Sequence, residues 1–200
     1  MAIVESPEGP IVLRAPTEAE AIAIEDKLRE SKRKRGPEEP SGSLYDNGVQ
    51  EVLACVLSPS KEALDTDDGL LGLYPGLFDR MVAEVRREGG YHIGLVDCPE
   101  AIDAQTLATF KRRAVGFAYG DVRIVSRRLS WPEFQSIEGG ANFWSELAAL
   151  GRNCLVSHKT DEDKAALFAG RPYLAMDLGL SLWRLARGLV ETKAKKSESA

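Results

Sequence analysis

The sequence predicts a mainly α-helical protein built from two tandem pseudo-repeat helical units, each with a short leading β-strand, joined by a strand–helix connector. Three observations carry this. The stretches "IVLRAPTEAEAIAIE" (11–25) and "IVSRRLSWPEFQSIE" (124–138) align without a gap, matching Ile11/Ile124, Val12/Val125, Arg14/Arg127, Glu20/Glu133, Ile24/Ile137 and Glu25/Glu138. Each copy continues into an apolar stripe at helical spacing. Later anchors, Cys55/Cys154, Ser58/Ser157 and Pro75/Pro172, keep the same order in both copies.

The elements follow from local chemistry. Residues 11–14 and 122–127 are β-prone and lead into capping boxes, Thr17-x-x-Glu20 and Ser130-x-x-Glu133. In such a box the hydroxyl accepts from the first turn and the Glu reaches back to the cap N–H. The stretch 29–48 has the Pro, Gly, Ser and charge content of a loop insertion. The next helix carries Val49, Val52, Leu53 and Val56 in one copy, and Phe143, Leu147, Leu150 and Cys154 in the other. A turn at Ser58-Pro59 or Ser157-His158 precedes a short helix capped by Ser60 or Thr160. The last helix opens at Pro75 or Pro172, where a missing N–H is harmless, and stops at Gly89-Gly90 or Gly188. The units therefore span 9–90 and 120–188. Residues 91–119 form the connector, a strand in "YHIGLVDC" and a helix from near Pro99. Residues 189–200 are expected to be a disordered tail.

Composition narrows the class. The chain of 200 residues is 44% hydrophobic and 28% charged, typical of a soluble globular protein. A net charge of −5 argues against a broad nucleic-acid-binding face. The run Lys32-Arg33-Lys34-Arg35 is balanced by Glu38 and Glu39 and reads as a solvated helix end or loop. Cys55, Cys98 and Cys154 sit apart among apolar neighbours, as buried thiols of a reducing cytosol do. No signal segment or membrane-length apolar run is seen.

Catalytic and metal patterns do not emerge. The histidines are His92 and His158, and neither accompanies a nucleophile elbow. Cys154-x3-His158 lacks the paired spacing of a zinc site, and Pro59 holds the matching place in the first copy. "DTDDGLLGLYPG" (65–76) is acidic like a calcium loop but misplaces its glycine and ends in Gly76 rather than Glu. Asp65, Asp67 and Asp68 read as a solvated turn, and no phosphate-cradling glycine loop is present. The expectation is a non-enzyme with no cofactor.

What remains is apolar surface. Phe78, Met81, Val82 and Val85 share one side of the 75–88 helix. Leu174, Leu178, Leu182, Trp183 and Leu185, widened by Met176 and Leu180, share one side of the C-terminal helix. Such stripes are core or a partner-facing groove. Under the second reading, Phe78, Met81, Val85, Leu178, Leu182 and Trp183 bind the partner.

The first copy resembles the small tail assembly chaperones of long-tailed bacteriophages, through Arg14, Pro16, Thr17, Glu20, Cys55, Val56, Pro59, Pro75 and Gly76. The resemblance covers 9–90 and reaches 120–188 through the internal repeat. It implies a holdase-like helper in the host cytoplasm that masks the apolar stripes of the tape-measure protein until tail-tube subunits polymerise. It implies no nucleic acid and no membrane as partners, and leaves room for self-association. The second copy reads Leu129-Ser130, Ser157-His158 and Pro172-Tyr173 in place of these landmarks. That divergence suits the alternative, a permanent component of the virion tail or baseplate.

Overall fold

The computed structural model describes residues 1–34, 49–64, 70–74, 76–91, 94–139 and 142–188, without side-chain detail at 30–34, 49, 62, 70, 72, 138 and 139. Two three-stranded antiparallel sheets organise it. The first joins β1 (Ala2–Ser6), β2 (Gly9–Leu13) and β3 (Val56–Ser58). The second joins β4 (Val96–Asp97), β5 (Ala114–Tyr119) and β6 (Val122–Arg127), and β6 makes one further bridge, from Ser126 to Leu155.

This overturns the mainly α reading. The fold is mixed α/β, and the two leading strands are members of sheets. β2 lies centrally, bonded to β1 on one edge and β3 on the other. The reason is period-two patterning outside the matched stretches. In β1, Ala2 and Val4 point inward while Ile3 and Glu5 point out. The chain turns at Pro7-Glu8 into Gly9, whose φ of 125° suits only glycine. The second hairpin turns at Gly120, φ 56°, so that Phe117 pairs with Ile124 and Tyr119 with Val122.

The strand–helix connector is likewise corrected. Its strand is β4, and its last six residues are β5, so both belong to the second sheet. The expected helix from Pro99 splits into a 3-10 turn, Pro99–Ala101, and α6 (Ala104–Phe110), capped by Asp103 accepting from Thr106 N at 2.6 Å. Lys111 then takes a φ of 51° and the chain leaves the helix for β5.

The helices cover the sheets. In the first half these are α1 (Glu18–Lys34), α2 (Val49–Leu53), α3 (Lys61–Leu64), α4 (Leu70–Leu73) and α5 (Gly76–Glu88). In the second they are α7 (Trp131–Gly139), α8 (Phe143–Asn153), α9 (Asp161–Phe168) and α10 (Leu174–Ala186). Ile11, Leu13, Leu53, Phe78 and Met81 centre one core; Phe117, Ile124, Leu174, Met176 and Leu178 centre the other. α8 and α10 pack backbone to backbone. Gly179 lies against the Leu147 carbonyl and Gly151 against the Ala175 carbonyl, where no Cβ fits.

The 35–48 part of the insertion, the Asp65, Asp67 and Asp68 turn, Pro75, His92 and the 189–200 tail lie outside the described residues. The backbone of 29–34 continues α1. Among the described residues no helix is long and apolar enough to cross a membrane.

Candidate functional site

The aligned positions of the two copies make the same local bonds. Arg14 grips Glu20 at 2.8 and 2.7 Å, and Arg127 grips Glu133 at 2.8 and 2.6 Å. Each Glu also accepts from its cap N–H, from Thr17 at 2.7 Å and from Ser130 at 2.8 Å. The N–H of Arg14 donates to the Cys55 carbonyl, and that of Arg127 to the Cys154 carbonyl, at 2.9 and 2.8 Å. The guanidinium partners hold Glu20 and Glu133 down to about 2. Burial pushes both Cys55 and Cys154 thiols up to about 11. These are fully engaged ion pairs that pin strand to helix, a structural staple used twice.

One helix face separates the copies. In α1, Glu18 pairs with Arg152 of α8, and Ala21 is wholly buried in the second core. Further along, Asp26 accepts from Trp144 N at 3.2 Å and Arg29 lies 3.8 Å over the Phe143 ring. At the far side of this junction Arg86 grips Glu25 at 2.7 Å twice, Tyr119 donates to the Gly90 carbonyl at 3.0 Å, and the Tyr91 and Tyr173 rings meet edge-on at 5.1 Å.

The aligned positions on α7 are Trp131 and Phe134, and they are not covered in this way. Trp131 is 67% exposed, with its ring stacked on Phe134 at a centroid distance of 5.7 Å. With Leu129 and Leu185 they line an open groove of about 250 Å³. Its position follows from sequence: Glu133 reaches back to the Ser130 N–H and hydroxyl at the helix start, Pro132 sits harmlessly in the first turn, and three-residue spacing sets Trp131 and Phe134 on one row.

The residues expected to bind a partner fall elsewhere. Phe78, Met81, Val85, Leu178 and Leu182 are at most 1% exposed and form the cores. The stripe on α5 is consumed by the sheet it covers, and that on α10 by α8 and the second core. Trp183 is half-buried, edge-on to Phe143 at 5.6 Å, with Arg187 4.8 Å above its ring. Trp131 and Phe134 were legible only as a divergence: large apolar residues stand where the first copy has Glu18 and Ala21.

Ser157 Oγ lies 2.8 Å from His158 Nδ1 and also accepts from Val125 N at 3.1 Å, so it ties β6 to the following turn. Among the described residues no three or more His, Cys, Asp or Glu side chains gather where they could hold a metal ion. No protein-family model matches the chain, and no curated protein or solved structure matches it.

Proposed function

We propose that this protein acts by protein–protein contact, without catalysis, in the assembly of a phage tail. Its α7 face is the docking surface, and its partners are tape-measure or tail-tube proteins. The observation that carries the reading is the exposed, stacked Trp131–Phe134 pair beside Leu185. Aromatic anchors in shallow pockets dominate the energetics of many protein interfaces. The tail assembly context rests on the resemblance of the first copy, whose Arg14, Thr17, Glu20 and Cys55 lie in one bonded cluster.

Co-expression with the tape-measure protein of the same phage tests it. The chain is expected to co-purify with that protein, and Trp131→Ala to reduce recovery while leaving the melting temperature unchanged. No enrichment over an unrelated coiled coil would refute the reading. A role as a permanent tail or baseplate component is favoured by the unlike surfaces of α1 and α7, one covered and one open. In that case mass spectrometry of purified particles finds the chain; a transient helper is absent from them.

A further inference from the structure

The groove has an electrostatic side that the docking role alone does not use. Arg128 lines it, and the Arg128 N–H donates to the Arg113 carbonyl at 2.7 Å. This places the end of β6 beside the short 3-10 turn Lys111–Arg113. Lys111, Arg112, Arg113 and Arg128 are all exposed. None of the four makes an ion pair with another described residue. The neighbouring Arg127 is held by Glu133, so Glu133 is not available to neutralise them. On a chain of net charge −5, Arg128 in the groove wall and three further exposed cations in the turn bonded to it, none ion-paired to another described residue, stand out.

From this charge pattern we infer that the groove accepts an acidic partner segment carrying one large apolar side chain. The inference rests on the α7 docking reading and supplies the chemistry of its partner. The apolar anchor enters beside Trp131 and Phe134, where burial of ring surface drives binding. The flanking carboxylates face Lys111, Arg112, Arg113 and Arg128, which steers encounter and fixes direction along the groove. A segment that is only acidic leaves the rings wet; one that is only apolar leaves the cations without counter-charge. Phosphate-rich nucleic acid would meet the same cations, but the two rings stack on each other and enclose an apolar groove with Leu129 and Leu185.

The test uses fluorescence anisotropy with three labelled probes on the full chain. They are a Glu/Asp-rich peptide with a central Leu-Phe, the same peptide with Ser-Ser in the centre, and an oligodeoxythymidine of similar length. The anchored acidic peptide is expected to bind, and to bind more weakly as salt rises. Trp131→Ala and the double reversal Arg113→Glu with Arg128→Glu are each expected to cost about tenfold or more in affinity. Equal binding of the Ser-Ser peptide, tighter binding of the oligonucleotide, or no binding of the anchored peptide overturns the inference. An effect of Trp131→Ala with none from the charge reversal also overturns it, yet leaves the docking role standing. Tape-measure recovery unaffected by Trp131→Ala strikes the docking role itself.

Discussion

Replacing Asp177 with Asn should stabilise this protein, and by more at alkaline pH than in mild acid. Asp177 sits in the first turn of α10, and its Oδ2 has no hydrogen-bond partner among the described residues. Burial, aided by the nearby Glu25 carboxylate, pushes the group from its ordinary 3.8 up to about 7. Arg184 pulls the other way but does not win. Between those two values the folded chain keeps a proton that the unfolded chain has released. Wild-type stability therefore falls as pH rises through this window, and the contribution is intact only below the lower value. A shift of about three units corresponds to about 4 kcal/mol when complete. Between about pH 5 and about pH 8 the part still changing is about 2–3 kcal/mol. Asn fills the same volume and carries no charge, so it removes this slope. Urea denaturation of both proteins at the two pH values measures it, since titrating groups remote from Asp177 cancel in the comparison. The variant should gain about 2–3 kcal/mol on wild type between acid and alkaline conditions. An identical difference at both pH values would refute the argument that Asp177 folds as a protonated group.

The remaining predictions concern the staples and the helix crossing. Gly179→Ala and Gly151→Ala each force a Cβ onto a facing backbone carbonyl and should cost about 2–4 kcal/mol in thermal melts. Gly76→Ala meets nothing within 4 Å and should be neutral or slightly stabilising, which separates crowding from loss of glycine as such. Glu20→Gln and Glu133→Gln should each cost about 1–2 kcal/mol near neutral pH, by similar amounts in the two copies. Both carboxyls are held at about 2, so that cost should fade as pH drops from 4.5 towards 2 in acid titrations followed by circular dichroism. Cys55 and Cys154, wholly buried with thiols near 11, should react with a disulfide reagent at about pH 8 only as fast as the protein unfolds.

The staples were the most legible part of the chain. Arg14, Thr17 and Glu20 form a local signal, complete within one turn of helix and its approach, and Arg127, Ser130 and Glu133 repeat it. Cys55 and Cys154 were legible as partners by alignment, although only the fold shows that their carbonyls complete the strand end. The sheets were missed because pairing is non-local. Nothing around Ile11 announces that Ala2 and Val4 lie beside it, and "AVGFAY" follows a helical run closely enough to be read as its continuation. The apolar stripes of α5 and α10 were visible, but spacing alone does not say whether a stripe meets a sheet or solvent. The α7 groove was hidden for the same reason, since exposure is a property of what the neighbours cover.

Ala21 has a bearing on how the molecule comes apart. A helix that begins in one half plugs the interior of the other, so neither half is a finished object when separated. Separating them would open a hole in the second core, take Glu18 from the Arg152 guanidinium, and bare the edge of the Tyr173 ring. The two halves are mutually dependent, and the protein gains or loses its shape as one thing.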